Sequence, residues 1–274
     1  MFSTKIDLIN SKLKSLSADF LRELASNNNI NSRGNKSEVI VRLLPLPSNI
    51  IDEFIKSKYT ERVEERRRLI SDDELISELE KIDSVVWGAV QGQLDQLIQR
   101  DFVRKYYRYN DIIQQIDGDL AAKVRGYVLA SWYNHWTTVL IEDHISLHKN
   151  VVPTTSNNFG IDIFFDGQPF DLKITYLPRN YSLVEAEKHS TELIKWLYEN
   201  QGAQRFGADN RLYVVLASKE DLAESWKLKR DFNFIYERLD GFFDSEKVTS
   251  DDELVFTFDH TTHTTVSKIV LITK

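Results

Sequence analysis

The sequence predicts a mixed α/β (α+β) fold: a mixed central sheet flanked by helices, preceded by a small helical module and a helical connector. Three observations carry this. Residues 1–147 show apolar spacing of helical period, strand-like runs begin only after about residue 150, and from there strands and helices alternate. The chain of 274 residues accordingly divides into a module over 1–46, a connector over 47–120 and a larger domain over 121–274.

Composition removes several function classes. With 42% apolar residues the chain can build a core, and 10 Gly and 5 Pro are too few for a low-complexity chain. Cysteine is absent, which excludes a disulfide scaffold, a Cys nucleophile, an iron–sulfur cluster and a Cys-based zinc finger. The start, MFSTKIDLIN, lacks the apolar stretch of a signal peptide, and the longest apolar runs fall far short of a membrane helix. A soluble, cytoplasmic protein without membrane contact is expected. The net charge is −7, but its distribution is uneven. Residues 1–50 hold seven Lys/Arg against four Asp/Glu, residues 51–120 eleven against sixteen, and residues 121–274 seventeen against twenty-two. The positive charge gathers at the N-terminus, where a local nucleic-acid footprint is possible despite the acidic total.

Each element has its reason. Leu13, Leu16, Phe20, Leu21 and Leu24 predict a first helix that fades in Asn27-Asn28-Asn29. Asn35, with Glu38 three residues on, predicts the capped start of a second helix, and Pro45 and Pro47 end it. Glu61–Arg68 is a mixed charge run that reads as a solvated helix face. Ser71-Asp72-Asp73-Glu74 reads as a helix start with acids at the positive end of its dipole. Arg100–Tyr109 interleaves basic and aromatic residues, which suits either an amphipathic core helix or a nucleic-acid groove. Residues 121–147 predict one long helix with Val128, Trp132, Trp136, Val139 and Leu140 along a stripe. Strands follow at 160–166, 169–176, 211–217, 253–259 and 265–273, with helices near 183–201 and 219–239.

The most informative stretch is Gly160–Ile174. Asp166-Gly167 predicts a two-residue hairpin turn. With that turn fixed, Asp162 falls opposite Asp171. One face carries Ile161, Ile163, Phe165, Phe170, Leu172 and Ile174, and the other carries Asp162, Asp171 and Lys173. A slip of one residue would bury the charges, so the register is well specified. Two carboxylates about 5 Å apart across a ladder repel each other. Both can reach one hard cation such as Mg²⁺, whose remaining positions take water and a substrate phosphate. Lys173 projects from the same face and can hold an attacking water or offset charge on a phosphate. An exposed hairpin face with an acidic pair partly neutralised by Lys is the bland alternative.

Asp162 followed by Asp171-Leu172-Lys173 resembles the signature of the PD-(D/E)xK nuclease superfamily, and the stretch from Ser131 to Pro178 is similar to type II restriction endonucleases. The resemblance covers about 121–220 and implies a restriction-endonuclease-like sheet. It implies Mg²⁺, with Mn²⁺ as a substitute, held by Asp162, Asp171 and the Leu172 carbonyl, with Lys173 beside the attacking water. Many members add an acid from the preceding helix; here that position is Asn134 by spacing, or Glu142 two helical turns later. The implied activity is cleavage of double-stranded DNA in defence against foreign DNA. A homodimer follows from the need to cut both strands, and a cognate methyltransferase is a possible partner.

Residues 10–45 resemble a SAP domain, through Leu16, Phe20-Leu21, Leu24, Ile30, Gly34, Lys36, Glu38, Val39-Ile40 and Arg42-Leu43. That resemblance implies backbone contacts to duplex DNA. Arg33, Asn35 and Lys36 at a helix start are the candidates, because helix N-termini favour anions. A structure-specific repair or recombination nuclease and a non-catalytic DNA-binding protein are the alternative functions. His260 and His263 lack a third ligand nearby and read as a turn or exposed strand, and Lys227-Leu-Lys229-Arg230 reads as a solvated basic patch. Walker and GxGxxG motifs are absent.

Overall fold

The computed structural model describes residues 3–82, 96–105, 107–155, 160–200, 209–258 and 261–274. Tyr106 and His260 lie outside them. The chain forms two compact units, Met1–Leu69 with Ile141–Lys274 and Ile70–Leu140.

The first unit is mixed α+β, with a six-stranded mixed sheet flanked by helices. It opens with helices α1 (Lys5–Ser15), α2 (Ala18–Asn27), α3 (Lys36–Leu43) and α4 (Ser48–Leu69). The expected helix through Leu13–Leu24 is two helices. Ser17 adopts an extended backbone and its side chain accepts the Phe20 N–H, which starts a new helix. Asn35 caps α3 as the sequence predicts, accepting the Glu38 N–H at 3.0 Å. α4 is more than a solvated rod, since Ile51, Ile55, Tyr59 and Val63 form a buried stripe.

The sheet order is β1-β2-β3-β4-β6-β5. β1 (Val151–Pro153), β2 (Ile163–Phe165) and β3 (Gln168–Tyr176) pair antiparallel. β3, β4 (Arg211–Ala217) and β6 (Thr261–Thr273) pair parallel, and β5 (Glu253–Phe258) returns antiparallel on β6. β1 was not expected. Three residues are too few to show a period, and its Pro153 is tolerated because β1 is an edge strand. Asp166 and Gly167 both have positive φ, 44° and 74°, as a primed hairpin turn requires. The pairs Ile163 with Phe170, Phe164 with Pro169 and Phe165 with Gln168 follow the predicted register.

Both faces of this sheet are covered. Phe165 meets Phe243 of α11 (Phe232–Ser245) edge-on, with ring centroids 5.0 Å apart. On the opposite face Phe164 and Val152 join one core with Leu13, Leu21, Leu24, Val39, Leu43 and Ile55 of the N-terminal helices. Further along, Tyr213, Val215 and Ala217 pack with Leu193, Ile194 and Leu197. Those leucines and that isoleucine belong to α9 (Ser190–Asn200). The helix expected near 183–201 is broken: α8 (Leu183–Lys188) ends at His189, and α9 starts afresh at Ser190. The helical region expected near 219–239 comprises a 3₁₀ turn at Leu222–Glu224, α10 (Ser225–Leu228) and the first part of α11.

The second unit contains α5 (Asp72–Glu80), α6 (Tyr109–Gln115) and residues 121–140 of α7 (Ala121–Leu147), with π-helical turns at Gln99–Val103 and Ile116–Leu120. Ser71 and Glu74 form a reciprocal capping box at the predicted start of α5. α7 has the predicted length, and its predicted stripe is buried only in part. Leu140 is buried, Trp132, Trp136 and Val139 are half-buried and Val128 is exposed, while Ala130, Tyr133 and Thr137 are buried as well. The helix is apolar on more than one side, so spacing alone does not choose among them. Among the described residues no helix is long and apolar enough to cross a membrane.

Candidate active site

β3 changes partners in the middle of the predicted motif. Residues Gln168–Phe170 pair with β2, and Asp171–Tyr176 pair with β4. Asp171 is the first residue of the parallel pair, opposite Arg211. Its N–H donates to the Asn210 carbonyl at 2.9 Å. Asn210 also donates to the Pro169 carbonyl and accepts the Val266 N–H, so one side chain ties together three strands.

Asp162 leaves the ladder here. Regular pairing stops at Ile163–Phe170, one residue short of the expected Asp162–Asp171 pair. The Asp162 N–H still reaches the Phe170 carbonyl at 2.9 Å, and its Oδ2 accepts the Leu172 N–H at 2.8 Å. The carboxylate thus takes the place a strand carbonyl would occupy. The carbonyl of Leu172 leaves the strand on the same edge as its N–H, facing the space beside Asp162. Lys173 Nζ lies 2.5 Å from Asp171 Oδ1, and Arg211 Nε lies 3.5 Å from Asp171 Oδ2. Arg211 is itself buried, 4.6 Å from the centre of the Tyr198 ring and hydrogen-bonded to the Tyr213 hydroxyl.

Burial moves the proton affinity of two acids, Asp162 and Glu142. Burial pushes Asp162 above the usual carboxylate range; the Leu172 N–H opposes this, and the neighbouring Asp171 charge adds to it. Glu142, on the part of α7 within the first unit, is pushed up to about 7 by burial and then by the charges of Asp162 and Asp143. Glu142 and Asp162 line a cavity of about 50 Å³ with Tyr59, Arg62 and Leu172, room for a few water-sized groups. Of the two sequence candidates for the additional acid, Glu142 is the one at this cavity. Asn134 lies in the second unit and is exposed.

The residues around the acids fit a divalent cation by donor chemistry. They are hard oxygen donors, and their mutual repulsion in a partly buried place is what a cation relieves. Among the described residues, no group of three or more His, Asp or Glu side chains is assembled as a ready metal cage.

Several residues of the site carry no sequence signal. Lys229, expected on a solvated patch, is 1% exposed. Burial pushes it down to about 7, against the pull of Glu142. Tyr59 donates to Asp143 Oδ1 at 3.0 Å, and Arg66 Nε donates to Asp143 Oδ2 at 3.1 Å, latching α4 to α7. His144 of α7 and His148 just after it stand beside Asp240 and Asp244 of α11, at 2.7 Å and 3.5 Å. His263 stacks at a tilt on Phe256 across the β5–β6 pair, in the strand setting expected for it.

The residues singled out for DNA sit at the start of α3. Arg33 is exposed, and its carbonyl accepts from Arg42. Asn35 is the helix cap, and Lys36 donates to the Lys14 carbonyl at 3.0 Å. In the Arg100–Tyr109 stretch, Arg100 pairs with Asp101 at 2.6 Å, Phe102 is buried, and Tyr107 and Tyr109 are exposed.

Comparison with protein-family models, with curated proteins and with solved structures finds no match to this chain.

Proposed function

We propose that this protein is a Mg²⁺-dependent endonuclease that cleaves double-stranded DNA, of the type II restriction class. The observation that carries the reading is the meeting of Asp162, Asp171 and Lys173 where β3 passes from its antiparallel to its parallel partner. The order of a long helix, three antiparallel strands, helices and a parallel strand supports a restriction-endonuclease-like core.

Asp162, Asp171 and the Leu172 carbonyl would hold the metal, with Glu142 at its side. When bound, the ion would polarise the scissile phosphate and lower the pKa of a water. Lys173 rests on Asp171 in this structure. Released from it, the ammonium can orient the attacking water and offset charge building on the phosphate. Arg211, 3.5 Å from the second oxygen of Asp171, adds a positive charge on that side. One such site cuts one strand, so two copies would act on a duplex, and the N-terminal helices would add backbone affinity.

The test is incubation of unmethylated plasmid and phage DNA with Mg²⁺, with Mn²⁺ and with EDTA, beside Asp171→Asn and Lys173→Ala. Discrete metal-dependent fragments, lost in both variants, are expected. Equal cleavage by the variants would sink the assignment. Preferential cutting of branched or damaged DNA would move the protein to a structure-specific repair role instead.

A further inference from the structure

We infer that Arg62 of α4 is the phosphate-binding cation of this site. The inference rests on the nuclease reading above and adds a residue that no motif predicts.

A phosphodiester approaching the cavity meets Glu142 and Asp162 in its lining, with the charge of Asp171 acting on Asp162, so an anion needs a cation there beyond the metal. The other described cations near these acids are engaged. Lys173 and Arg211 lie on Asp171, Arg66 is bound to Asp143, and Lys229 is buried. Arg62 lines the same cavity as Glu142 and Asp162, is exposed, and has no carboxylate partner among the described residues.

Its position is built. Tyr59, Arg62 and Arg66 recur at three- and four-residue spacing and share a face of α4. Tyr59 is buried and fixed by its hydrogen bond to Asp143, which Arg66 holds from the other side. The guanidinium of Arg62 then lies 5.5 Å from the centre of the Tyr59 ring. That contact limits the freedom of the side chain and leaves its planar donor fork free for two phosphate oxygens. The run that reads as a solvated helix face thus holds one residue whose exposure has a use.

Two measurements test it on the full chain. Cleavage kinetics of wild type, Arg62→Ala and Arg62→Lys in Mg²⁺ should show kcat/KM falling about 10- to 100-fold in the alanine variant, with partial recovery in lysine. Melting temperature should be unchanged, since the side chain is exposed. Binding of a duplex in EDTA over a salt series should show a slope shallower by about 0.9 in Arg62→Ala, the signature of one lost phosphate contact. Wild-type kinetics together with an unchanged slope in Arg62→Ala would overturn the inference. A wild-type protein that binds DNA but cleaves none would overturn the nuclease reading, and the salt slope would still decide whether Arg62 meets a phosphate. A wild-type protein that binds no DNA would overturn both.

Discussion

Glu142 stands among like charges, and the consequence can be measured. Its proton affinity rises from the ordinary 4.5 to about 7. A group whose folded pKa is raised takes up a proton on folding between those values, so its contribution to stability falls as pH climbs through that window. Asp162, Asp143, Lys229 and Lys173 all act on it. In metal-free protein, the wild-type melting temperature should therefore drop between about pH 5 and pH 7 relative to Glu142→Gln, read by thermal unfolding across a pH series. Parallel curves would show that Glu142 titrates normally. Asp162, Asp171 and Lys173 were legible because strand parity and a strong turn signal place them within a dozen residues. Tyr59, Arg62 and Lys229 were not. They reach the site from distant segments of the chain, and only the tertiary fold brings them there.

At the scale of elements, local chemistry was the readable part. Asn35 and Ser71 start helices where their capping chemistry predicts, and Asp166-Gly167 turns the hairpin in the predicted register. What failed was local too. Ser17 broke a run of good helical spacing by capping a new helix, and the choice of buried face on α7 was open because apolar residues occur around it. Asn35 offers a direct check, since it is both a cap and a proposed DNA contact. Replacing it by Ala removes the acceptor for the Glu38 N–H and should cost about 1 kcal/mol, a fall of roughly 2–4 °C in melting temperature. Because α3 begins there, duplex affinity should weaken as well. Stability lost with affinity intact would limit Asn35 to the cap.

The whole molecule departs most from a reading of modules in series. The N-terminal helices share a core with Val152 and Phe164, and the Ser3 N–H donates to the Gln168 side chain at 3.0 Å. Removing residues 1–46 would uncover those two side chains, each worth about 1.5–3 kcal/mol of burial, along with the inner face of α4. The truncated protein should lose its cooperative melt or its solubility. A soluble remainder with an unshifted melt would show that the helices fold apart from the sheet. Sequence resemblance marks segments, but it does not say which of them share a core.

That shared core also sets an order in time. Ile55 leaves the ribosome about 110 residues before Phe164. At roughly 5–20 residues per second, this is a wait of about 5–20 s. Throughout it the first helices can gather their own leucines while the patch that Phe164 will cover stays open. The nascent chain thus offers an apolar surface to chaperones until the hairpin arrives to close it.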